Sequence, residues 1–181
     1  LAQQPRSASA LEGMITDYFS VPTKVRQFDG QWLPLVEENR SRVGRAGRPG
    51  EDDRGAHNVL GRTAVLGKRF WDQQAGFRLR LGPMGYAEFL EFLPMGARFP
   101  VLVQMVRFFV SQGLDFDVQL VLKGDDVPVC RLGDQGPGAP RLGWSSWLGG
   151  EGRTRDVDDA VLGRRWTRGA LPDRESVRRA A

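Results

Sequence analysis

The chain has 181 residues, enough for one domain with a sizeable buried core, and 40% of them are hydrophobic, an ordinary globular fraction. Its formal charge of +4 is local: residues 1–162 hold 20 basic and 20 acidic side chains, and the rest of the chain carries six Arg against Asp173 and Glu175. A single cysteine, Cys130, excludes an internal disulfide, a single histidine, His57, excludes the usual multi-histidine zinc site, and no apolar run approaches the ~20 residues of a membrane-spanning helix.

The first residues, LAQQPRSASA, lack the basic-then-apolar pattern of a signal peptide. Opening on Leu1 rather than Met, the chain reads as a fragment of something longer. Leu11, Met14, Ile15 and Tyr18 then recur at helical spacing, which predicts an amphipathic helix over 10–19. VPTKVRQF (21–28) switches to an extended, β-branched segment, and GQWLPL (30–35) follows with Trp32. Residues 39–58 are almost free of apolar side chains and hold four Gly and one Pro, so they predict a long polar loop, solvated or projecting as a functional element.

FRLRL (77–81) alternates cleanly, with Phe77, Leu79 and Leu81 inward, and predicts a half-buried strand. Tyr86, Phe89, Leu90 and Leu93 give a short helix stopped by Pro94. RFPVLVQMVRFFVSQG (98–113) is the strongest helix. Leu102, Met105, Val106 and Phe109 form its stripe, and further Val and Phe widen it nearly all round, so it is buried in its own domain or against a partner. DFDVQLVLKGDDVPVCRL (115–132) reads as a hairpin turning at Gly124-Asp125-Asp126. Residues 10–28 and 98–122 share a helix-then-strand plan, a weak sign of internal duplication. The fold class expected is α+β, a mostly antiparallel sheet with packed helices.

Two catalytic motifs fail on counting. Gly143-Trp144-Ser145-Ser146-Trp147 starts like a nucleophile elbow, but Trp147 occupies the position of the second glycine. Gly61 to Lys68 resembles a phosphate-binding loop, yet five residues separate its glycines and Arg69 stands where a hydroxyl must reach magnesium. Carboxylate pairs at Asp115/Asp117 and Asp125/Asp126 are explained by a strand edge and a turn. No catalytic, cofactor or metal residue is assigned.

The order of the pieces resembles the C-terminal part of the TssG family, also called ImpH or VasB. The resemblance is carried by LEGMITDYFSVPTKVRQFDGQWLPL (11–35), LGRTAVLGKRFWDQQAGFRLRLGPM (60–84), residues 92–133, RLGWSSWLG (141–149) and RDVDDAVL (155–162). It implies a non-enzymatic baseplate subunit of the type VI secretion system, in a wedge with two TssF copies and with projecting loops on TssK trimers. Such a subunit is cytoplasmic, at the inner face of the bacterial inner membrane, and meets the membrane only through the baseplate. The domain assignment that follows is 1–162 for the TssG-like region and 163–181 for a basic, disordered tail.

Trp, Tyr and Arg dominate protein–protein hot spots, so the partner-binding residues expected are Trp144, Trp147, Trp71, Phe108, Arg42, Arg45, Arg48 and Arg54. Trp144 and Trp147, three apart, can divide their roles, one plugging the core and the other meeting a partner. Two alternatives compete with the baseplate reading. One is a nucleic-acid or anionic-surface module acting through the Arg-rich tail, and the other is an uncharacterised enzyme.

Overall fold

The computed structural model describes residues 7–44, 55–74, 76–110, 114–130, 139–148, 153 and 155–167. They divide into two compact units, Gly30–Ala75 and the chain on either side of it.

The larger unit is an α+β layer. Helix α1 (Ala8–Phe19) is capped by Ser7, whose hydroxyl accepts from Ala10 N, and ends on left-handed Ser20. Leu11, Ile15 and Phe19 make its buried stripe. Glu12 reaches off this helix to accept from the Val25 N–H of strand β1 (Thr23–Arg26) at 2.7 Å. Strand β6 (Gly76–Met84), helices α2 (Tyr86–Glu91) and α3 (Arg98–Phe109), strand β7 (Asp115–Leu122) and strand β8 (Val157–Leu162) complete the layer. The sheet order is β1-β6-β7-β8. Its two outer pairings are antiparallel, and the central β6–β7 pair is parallel.

Alternation decides which face is covered. Phe77, Leu79 and Leu81 of β6 and Phe116, Val118 and Leu120 of β7 join one core with Leu11, Ile15 and Phe19 of α1, Phe89 of α2, and Phe99, Leu102, Val106 and Phe109 of α3. Phe77 stacks on Phe116 at 5.5 Å between centroids, and Phe19 meets Phe92 edge-on at 5.2 Å.

Three expectations need adjusting. The long helix stops at Phe109, because Val110 adopts an extended backbone while still donating its N–H to Val106 O. Residues 115–132 form no hairpin among the described residues. After β7 the chain makes a 3₁₀ turn at Gly124–Asp126, and Pro128, lacking an N–H, suits no return strand. The edge beside β7 is taken by β8, from much later in the chain. Last, packing does not end at residue 162. A 3₁₀ turn at Arg164–Trp166 buries Trp166, and Thr167 is 1% exposed. The Thr167 hydroxyl donates to Phe116 O at 2.7 Å, and Arg107 donates to Thr167 O through Nε and a terminal nitrogen at 3.2 and 3.0 Å.

The smaller unit is a nested pair of antiparallel ribbons. Strand β2 (Gln31–Pro34) pairs with β5 (Arg69–Asp72), and β3 (Arg42–Val43) pairs with β4 (Gly55–Ala56). Between them, Leu35 N donates to Lys68 O, and Ser41 Oγ both accepts from Val65 N and donates to Val65 O.

Candidate partner-binding surfaces

The ribbon unit contains no buried apolar side chain among its described residues: every buried hydrophobic among the described residues lies before residue 22 or after residue 76. Its large apolar groups are displayed instead. Trp32, Val36, Val43, Val59, Leu60, Val65, Leu66, Phe70 and Trp71 are all exposed. A two-stranded ribbon is marginal in water by itself, and here cross-strand indoles hold it. Trp32 and Trp71 stand directly opposite each other and meet edge-to-face with centroids 5.5 Å apart. Gly30 admits the Trp71 ring, since a Cβ there would fall inside the indole. Trp71 is therefore both a ribbon clamp and, at 50% exposure, an available contact. Arg42 lies on β3 and is exposed. Arg45, Arg48 and Arg54 fall outside the described residues.

The point where the chain leaves and re-enters the larger unit is tied by charge. Asp29 N donates to Gly76 O at 3.2 Å, closing the base. The Asp29 carboxylate, 6% exposed, takes Arg26 at 3.0 Å and Arg78 at 2.8 Å. Arg78 also reaches Asp117 at 3.3 Å, and Arg164 completes the cluster at Asp117 Oδ1 (3.5 Å) and Asp29 O (3.2 Å). Sequence reading missed this group. The alternating Arg78 and Asp117 were visible, but their partners come from a connector and from the segment read as tail.

The second surface is the turn at 139–148. Trp144 N, Ser145 N and Ser146 Oγ all donate to Arg141 O, and Ser145 Oγ accepts from Arg141 N. Gly143, at φ +77°, supplies the left-handed step this loop requires. The two serines are thus structural, and the elbow-like motif is a tight turn. Trp147 is buried and meets Phe89 edge-on at 5.8 Å. Trp144 is half-buried, edge-on to Trp166 at 5.2 Å, with the Arg141 guanidinium 5.9 Å from its ring centre. The turn's most exposed side chains are its leucines, Leu142 at 96% and Leu148 at 95%. They were passed over in the sequence because the tryptophans between them carried the stronger signal. On α3, Phe108 and Val101 face outward, with Phe108 68% exposed.

Burial lifts the Tyr86 hydroxyl above the ordinary phenol range. Among the described residues no group of three or more His, Cys, Asp or Glu side chains could hold a metal ion.

The fold is thus of the α+β class, with a separate unit of paired ribbons. The family model described as "Type VI secretion, TssG" matches residues 1–149. The chain belongs to the TssG family. Among solved structures, a chain of a type VI secretion TssK-TssF-TssG baseplate subcomplex matches with a TM-score of 0.63 and 20% identity, over 90% of this chain and 62% of that one. The present chain thus spans about three fifths of that relative's length. A chain of a type VI secretion baseplate complex aligns at 21% identity and a TM-score of 0.45, over 89% of this chain and 41% of that one. No curated protein sequence matches. No helix among the described residues is long and apolar enough to cross a membrane.

Proposed function

We propose that this protein is a non-enzymatic structural subunit of the type VI secretion baseplate, bridging two copies of a TssF-like protein and TssK-like trimers at the cytoplasmic face of the inner membrane. Family membership supplies the setting. The observation that carries the bridging role is the ribbon, a unit with a fixed backbone ladder and no core of its own, whose apolar groups become buried only when another protein covers them. Trp71 and Arg42 lie on this unit, and Arg45, Arg48 and Arg54 fall between β3 and β4 in the sequence. Phe108 on α3 and the Trp144 turn, through Leu142 and Leu148, offer further contacts on the larger unit. Trp147 supports that turn from inside the core.

The test is co-expression with the TssF-like and TssK-like proteins of the same genome, followed by a mass measurement on the purified complex. Two TssF-like copies per chain is the expected result. A folded chain that purifies alone in the presence of both would overturn the proposal.

A further inference from the structure

Residues 163–167 meet the rest of the larger unit at two places. At the far end, Trp166 stands edge-on to Trp144 with centroids 5.2 Å apart, and the Thr167 hydroxyl donates to Phe116 O at 2.7 Å. At the near end, Arg164 reaches the base formed by Asp29 and Gly76. Its Nη2 donates to Asp29 O at 3.2 Å, and its Nε lies 3.5 Å from Asp117 Oδ1. Gly76 makes room for it, since a Cβ there would fall on the Arg164 guanidinium. The two ends are joined by one 3₁₀ turn, with Trp166 N on Gly163 O and Thr167 N on Arg164 O. What loosens one end therefore loosens the other.

Arg164 is also the most weakly held member of its cluster. Arg26, Arg78 and Arg164 face Asp29 and Asp117, three cations to two carboxylates. Both carboxylates are paired without it, because Arg78 takes Asp29 at 2.8 Å and Asp117 at 3.3 Å. The Arg164 side chain is 10% exposed, yet its Nε and Nη1 are buried with no hydrogen-bond partner among the described residues. The Nε approach to Asp117 is an ion pair too long to count as a hydrogen bond. Buried N–H groups left unpaired carry a cost that release to water recovers. The turn anchored by Trp166 and Thr167 holds the guanidinium in place against that cost.

We infer that residues 163–167 form a conformational strap: its docking through Trp166 and Thr167 seats Arg164, and Arg164 is the positioning residue that keeps the Asp29–Gly76 base closed. When the strap lifts, the base loses the guanidinium that bonds Asp29 O and lies against Gly76, and the bond from Asp29 N to Gly76 O opens more often. The device belongs to the chain alone and needs no partner.

Amide hydrogen exchange of the full chain, followed by NMR at urea concentrations below unfolding, reads base closure at the Asp29 N–H. Its urea-independent rate reports local opening, separate from global unfolding. Thr167→Val alters only the far end of the strap and should raise that rate about threefold, while Thr167→Ser, which keeps the hydroxyl, leaves it at the wild-type value. Arg164→Gln and Gly76→Ala should each raise it about tenfold, and the double variant no further than either alone, since both unseat the same guanidinium. An unchanged rate in Thr167→Val overturns the strap, because the Asp29–Arg78 pair then closes the base unaided. Additive effects of Arg164→Gln and Gly76→Ala overturn the role of Arg164 at that base. Asp29 exchange that follows global unfolding in every variant overturns local opening altogether.

Discussion

Trp71 rests against Gly30, which has no side chain. Gly30→Ala places a methyl group where the Trp71 ring lies, so the indole is expelled and the cross-strand pair opens. The expected outcome is loss of the Trp32–Trp71 exciton signal with a change in global melting temperature of no more than a few degrees, since the ribbon contributes no buried core. The other two tryptophans of interest separate by depth. Trp147→Ala removes an indole packed on Phe89 and costs about 3–5 kcal/mol in urea unfolding. Trp144→Ala trims a half-buried ring and one edge-on contact, costing about 1–2 kcal/mol. Equal losses would mean that the turn unravels as a unit. Asp29→Asn removes the buried carboxylate that Arg78 meets at 2.8 Å and leaves that guanidinium to Asp117 alone, while Arg164 keeps its bond to the Asp29 carbonyl. It should lower unfolding free energy by about 2 kcal/mol, below the ~3–5 kcal/mol of breaking a buried pair outright.

At the level of elements, legibility followed locality. Helix α1, the alternation of β6 and the position of α2 were readable because each is written in a short window of apolar spacing, although the α1 stripe closes on Phe19 and leaves Tyr18 62% exposed, and α2 ends at Glu91, ahead of Pro94. β7 was readable for the same reason, but its neighbours were not. Its apolar-every-second-residue pattern is equally consistent with a hairpin and with a parallel partner, and only the whole chain decides that β6 lies on one side and β8 on the other. The final segment shows the same limit from the opposite direction. Arg164, Arg165 and Arg168 look like a solvated tail by composition, yet Arg164 is drawn in by Asp117, and Trp166 and Thr167 close over Phe116 and Arg107. Two truncations separate the readings. Ending the chain after Thr167 keeps the seal, and ending it after Leu162 removes the Trp166 ring and the three hydrogen bonds that join Thr167 to Phe116 and Arg107. The shorter chain should be less stable than the longer by several kcal/mol, about the burial of one large aromatic plus those hydrogen bonds. Indistinguishable denaturation curves would restore the boundary at 162.

For the molecule as a whole, burial and display of apolar side chains fall on different stretches of chain. Among the described residues the buried apolar side chains all belong to the unit that holds α1, β1 and everything from β6 onward, and the exposed tryptophans, Trp32 and Trp71, belong to the ribbon. The ends of the ribbon are already joined at the level of backbone, because Asp29 donates its N–H to Gly76 O, and the Arg26, Arg78, Asp117 and Arg164 charges lock that junction from within the larger unit. Such a junction can be closed by a short turn. Replacing residues 30–75 with a few Gly and Ser residues should therefore leave a cooperatively unfolding protein with near-native melting temperature, because no core contact is removed and the connection becomes shorter. The same protein should fail to hold the TssK-like subunit in pull-down while the wild-type chain retains it. Retained binding would move the docking surface to Phe108 and the Leu142–Leu148 turn. A collapse in stability would show that the ribbon, despite its bare faces, is part of what folds the domain.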